Sequence, residues 1–140
     1  MWGHVGSAEC HAEMTDRLTI VLRIGTAAVW IVFGLVFKVL QGVPRHERIV
    51  VAVIGSGWAG PVTVGIGVAE VLMGCWILSG RWPFWCIGAQ TVAIVLMNVL
   101  ELVFAREHLL FPVAMPCANA VFLALGWILA VRTAAERRNA

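Results

Sequence analysis

The stretch Phe84–Ala105, FWCIGAQTVAIVLMNVLELVFA, decides the fold. As a helix rising about 1.5 Å per residue it crosses a hydrocarbon core of about 30 Å. Three polar residues, Gln90, Asn98 and Glu101, sit inside it. At about 100° per residue they share one narrow stripe with Ile94, Ala105 and His108. The other faces carry Ile, Val, Leu, Met and Phe. A carboxylate within a membrane helix is costly, so the Glu101 stripe is expected to face protein or a water-filled cavity. The stretch predicts one helix of a polytopic membrane protein with a polar seam inside.

Composition points the same way. Hydrophobic residues make up 61% of the 140-residue chain and charged residues 13%, against roughly 45–50% and 25% in soluble domains. The mean hydropathy of +0.90 is far from that of a soluble domain. A net charge of +2, with no basic run longer than Arg137–Arg138, argues against nucleic acid as a partner. Cys10, Cys75, Cys86 and Cys117 form no C-x-x-C motif, so neither a zinc site nor a disulfide framework is expected.

Taken in order, residues 1–16 read as a polar N-terminal tail without a basic-then-apolar signal. With Met14 beside the first span, residues 1–13 read as a disordered tail or an over-called start. Residues 17–132 read as a four-helix transmembrane domain, and residues 133–140 as a polar C-terminal tail. The first span, Leu18–Leu40, puts Arg23, Ala27, Trp30, Gly34 and Lys38 on one face. Arg23 is expected to point inward, and Lys38 to snorkel to the headgroups. Residues 41–60 open polar with Pro44 in the first turn of a short helix. They continue as an apolar segment too short to span, either a lid over one mouth of the bundle or a surface connector.

The second span is expected over Pro61–Ser79, with Thr63, Gly67, Glu70 and Gly74 aligned. The glycines allow close helix approach, but they do not account for Glu70, the strongest single pointer to function. The turn Gly80–Pro83 joins the second and third spans as an antiparallel hairpin, with Trp76, Trp82 and Trp85 as an aromatic belt. The fourth span begins at Leu109 or Pro112 and runs to Val131, with Asn119 and Gly126 on its small or polar face. Depths from a uniform rise predict two charged layers, Arg23–Glu70–Gln90 and Lys38–Glu101, with Asn98 and Asn119 as further polar members. Counting Lys and Arg by side leans towards both termini in the cytoplasm, while the flanks of the first span lean the other way.

Several segments carry a resemblance. They are R-x-G-x-A-x-V-W-I-x-x-G-L-x-x-K-V-L from Arg23, P-R-H-E-R-I-V, I-G-V-A-E-V-L-M-G-x-W-I-L-S-G-R, and Q-T-V-A-I-V-x-M-N-V-L-E-x-x-x-A-x-x-x-L-L-F-P. Together they resemble the DoxX-like family of small bacterial membrane proteins over about residues 17–131. The resemblance implies an all-α integral membrane four-helix bundle, multi-pass in the bacterial inner membrane. Some DoxX and DoxD relatives are subunits of quinone-linked oxidoreductases, including thiosulfate:quinone oxidoreductase, or associate with redox-defence enzymes. A quinone held without a covalent bond is thus the candidate cofactor, and the candidate partners are membrane lipid, a redox enzyme or a second copy of the chain. No catalytic motif carries over by residue.

The candidate ligand-binding or proton-relay residues are Arg23, Lys38, Glu70, Gln90, Asn98, Glu101, His108 and Asn119. Arg23, Gln90 and His108 can donate hydrogen bonds to quinone carbonyls, and Glu70 or Glu101 can supply protons. The chain carries no recognisable redox-centre ligand set, so the leading expectation is an accessory subunit without catalysis of its own. The alternatives are a small proton-coupled transporter built on Glu70 and a purely structural or assembly role. Small multidrug transporters place their essential carboxylate in the first helix, where this chain has Arg23. A b-type haem needs facing axial histidines, and only His108 lies near a span.

Overall fold

In the computed structural model the backbone is described for residues 3–40, 44–104 and 114–139, and the side chains for the same residues except 3–13, 15, 44–46 and 139. All described secondary structure is helical. Helix α1 (Gly3–Val32) continues directly into a π-helical segment, Phe33–Val39. Helices α2 (Pro44–Ile54), α3 (Ser56–Ser79), α4 (Pro83–Phe104) and α5 (Ala114–Asn139) follow. Four stretches are long and apolar enough to cross a membrane: Asp16–Val39, Ser56–Ser79, Pro83–Phe104 and Ala114–Arg138. The protein is an all-α, four-span membrane bundle.

Local chemistry sets the boundaries. Pro44 opens α2, where its missing N–H is one that a first turn leaves unpaired anyway. Gly55, at φ 84°, breaks the chain between α2 and α3. The second span therefore begins at Ser56 and not at Pro61, which becomes an interior helix residue. Gly80, at φ 60°, ends α3 in the left-handed region open to glycine, its N–H bonded to the Ile77 carbonyl at 3.1 Å. The Trp82 carbonyl accepts the Cys86 N–H at 3.0 Å and so starts α4.

The spans close into a ring in which α1 packs on α3, α3 on α4, α4 on α5, and α5 back on α1. Helix α2 lies against α3 and also touches the π-helical segment and α4, so it packs across one end of the bundle. Trp30, Ile77, Cys86, Ile94 and Leu129 form the apolar centre with Ala27. Trp30 meets Phe122 with ring centroids 6.4 Å apart. Outward positions such as Val21, Leu72, Val92, Val103 and Val121 are exposed apolar side chains. That inside-out pattern suits a bundle whose solvent is lipid.

Candidate functional site

Glycines bring α1 and α3 into backbone contact. A Cβ on Gly67 would stand 2.6 Å from the Gly34 carbonyl oxygen and 2.9 Å from the Lys38 Cβ. Two turns on, a Cβ on Gly74 would stand 3.0 Å from the Ala27 carbonyl oxygen. Beside this contact Lys38 Nζ donates to Glu70 Oε1 in a buried ion pair. Lys38 is 8% and Glu70 4% exposed. Glu70 Oε2 is buried and has no hydrogen-bond partner among the described residues.

This geometry corrects two expectations. Lys38 does not snorkel outward, and its bond goes to Glu70, which takes the place of the expected Arg23–Glu70 pairing. The reason lies in how side chains lean. Every Cα–Cβ bond tilts towards its own helix N-terminus. In antiparallel helices, Lys38 therefore leans inward from the end of its span while Glu70 leans out to meet it. Arg23 leans the same way along that helix as Lys38, which from its position carries it away from Glu70. The π-helical turns add to this, since they advance less per residue and draw Lys38 towards the middle.

Arg23 reaches α5 instead. Its Nη2 donates to Thr133 Oγ1 at 3.1 Å and lies 3.7 Å from Glu136 Oε2. Its Nε is buried without a partner among the described residues. Gly80 leaves it room, because a Cβ there would stand 3.4 Å from the guanidinium carbon. Gln90 crosses the centre of the ring, accepting from Trp30 Nε1 at 3.0 Å and donating weakly to Cys86 Sγ at 3.6 Å. Asn119 Nδ2 donates to Asn98 Oδ1 at 2.8 Å, tying α5 to α4. Glu101 is half-buried near the end of α4. His108 lies outside the described residues.

A half-open cavity of about 20 Å³ lies between these groups at the α3–α4 turn. Arg23, Arg81, Gln90, Cys86, Trp76 and Thr133 are among its lining residues. Its volume holds about one water molecule. Trp76 was expected only to anchor the turn, yet it is half-buried here with Nε1 bonded to the Arg81 carbonyl at 2.8 Å. Trp82 and Trp85 stay outward, 65% and 78% exposed. Thr133 and Glu136 were missed by sequence reasoning, which assigned them to a solvated tail. Their spacing of three, in register with Gly126 and Ala130, was the available signal.

A sequence-family model described as the DoxX-like family matches residues 27–127. The chain belongs to the DoxX-like family. The match takes in the π-helical segment, α2, α3, α4 and about the first half of α5, and with them Lys38, Glu70, Gln90, Asn98, Glu101 and Asn119. No curated protein and no solved structure matches this DoxX-like chain.

Proposed function

We propose that this DoxX-like protein is an accessory subunit of a quinone-linked membrane redox complex in the bacterial inner membrane, seating a quinone or lipid head group at the α3–α4 turn. The observation that carries this reading is the lining of the cavity there. Arg23 and Gln90 line it, Arg23 with a buried Nε that has no partner among the described residues, and Gln90 spends one of its donors on a soft sulfur acceptor at 3.6 Å. Quinone carbonyl oxygens accept such bonds. The donors suit a quinone, while the water-sized space leaves its ring at the open mouth. Electrons come from a partner enzyme, and the chain's own residues bind and orient the head group.

The Lys38–Glu70 pair supports a structural task in the other half of the bundle. It stands beside the close backbone contact of Gly34 and Gly67, and there Glu70 already pairs with Lys38. For the same reason a transporter in which Glu70 alternates between a proton and a cation draws less support.

The test is titration of the full-length protein in mild detergent with a soluble quinone analogue. Trp76, in the cavity wall, and Trp30, bonded to Gln90, report by fluorescence. Saturable binding weakened by Gln90→Leu is expected. A folded protein that shows no saturable change with either a quinone analogue or a lipid would refute the head-group site.

A further inference from the structure

We propose that the Arg23–Arg81 mouth of this cavity holds the phosphate of an anionic membrane phospholipid. The inference rests on the reading of the cavity as a head-group seat, and it names the chemistry of the occupant. Arg23 and Arg81, from the first span and the α3–α4 turn, line the same small space. The facing acid is Glu136, which stands 3.7 Å from Arg23 Nη2 with both side chains partly exposed. Such a long, half-solvated pair is weak. Arg23 faces one loosely held carboxylate, and the Arg81 guanidinium lies over the exposed Trp82 ring, 5.7 Å from its centroid, so both leave positive charge at this end of the bundle.

A second observation points to a ligand. Arg23 Nε is buried with no partner among the described residues, and an unsatisfied buried donor is costly. The planar guanidinium fork suits the oxygens of a phosphate. On α5 at the same end, Arg132 Nη1 is likewise buried without a partner among the described residues.

Size and position narrow the choice. A cavity of about 20 Å³ cannot take a ring or an acyl chain into the bundle. The ligand must present a small charged group at the mouth and keep its bulk outside. The mouth lies where α3 ends and α4 begins, beside the exposed Trp82 and Trp85. Tryptophans of this kind sit at headgroup level. Basic pockets between spans at that level recognise anionic head groups. A phospholipid keeps its acyl chains along the exposed apolar helix faces while its phosphate reaches the arginines.

The experiment is native mass spectrometry of the full-length protein, delipidated in a neutral detergent. The probes are phosphatidylglycerol, phosphatidylcholine, inorganic phosphate and a soluble quinone analogue. Phosphatidylglycerol is expected to bind more tightly than phosphatidylcholine. Its affinity should fall roughly fivefold for each arginine removed in Arg23→Gln and Arg81→Gln. Arg81 is exposed, so Arg81→Gln keeps the test informative if Arg23→Gln fails to fold.

Equal retention of the two lipids, or retention untouched by Arg81→Gln, overturns the proposal. Inorganic phosphate binding as tightly as the lipid overturns the lipid source. If the quinone analogue binds and phosphatidylglycerol does not, the phosphate proposal fails while the head-group seat stands. If neither binds to folded protein, both readings fail.

Discussion

Lys38 and Glu70 meet because each side chain leans along its own helix towards the other, and because glycine at 34 and 67 lets the helices touch there. Removing one partner strands the other charge in the bundle. Glu70→Gln should therefore destabilise the protein by about 3–5 kcal/mol, and Lys38→Met similarly. The double variant Lys38→Met/Glu70→Leu should recover most of that loss, since well-packed apolar residues of similar volume often replace a buried pair at little cost. Detergent-induced unfolding of the purified protein, followed by helical circular dichroism, measures all three. Additive losses in the double variant would show that the two residues act independently. The faces carrying these residues were legible from helical periodicity, but the partners were not. A uniform rise fixes the depth of a Cα, whereas pairing depends on where the side-chain tip arrives. For Lys38 and Arg23 both tips are displaced towards the N-terminal end of their shared helix, which carries Lys38 deeper into the bundle and Arg23 towards its surface.

At the level of elements, two close approaches differ in what yields. A methyl at Gly67 runs into backbone, the Gly34 carbonyl oxygen at 2.6 Å, and into the Lys38 Cβ. Backbone cannot move without separating α3 from the first span, so Gly67→Ala should cost about 1–3 kcal/mol. A methyl at Gly126 would stand 2.6 Å from Ile87 Cδ1, the mobile end of a side chain, with the Ile87 Cγ1 beyond at 3.8 Å. Rotation of Ile87 removes that clash, and alanine recovers roughly 0.5–1 kcal/mol over glycine within a helix. Gly126→Ala should therefore be nearly neutral in the same unfolding experiment. A reversed order of the two losses would mean that the α4–α5 contact, and not α1–α3, is the rigid joint. Both glycines are plain in the sequence; only the structure shows whether backbone or a side-chain tip faces them. The start of α3 was hidden for a related reason. Pro61 is a good first-turn residue, and nothing in the sequence revealed that Gly55 would make the break instead.

For the molecule as a whole, four spans place the α3–α4 turn at the same end of the bundle as the start of the first span and the end of α5, with α2 across the opposite mouth. Arg17, Arg81, Arg132, Arg137 and Arg138 belong to the first end, and Lys38, Arg45 and Arg48 to the other. The structure sharpens that contrast, because Lys38 is buried against Glu70 and no longer counts as a flanking charge. The positive-inside rule then favours the Arg81 end in the cytoplasm. This is also the leaflet face where anionic lipid and a surface potential would act on the proposed phosphate site. Orientation can be read with single cysteines in a variant whose own four are replaced. Ser79→Cys marks the turn end and Ser56→Cys the α2 end, and both side chains are exposed. In intact bacterial cells made permeable only at the outer membrane, a membrane-impermeant maleimide should label Ser56→Cys and spare Ser79→Cys. Disruption of the membrane should then expose Ser79→Cys to the reagent. The opposite labelling would put the arginine-rich end outside the cell, where a cytoplasmic-leaflet lipid could not reach it.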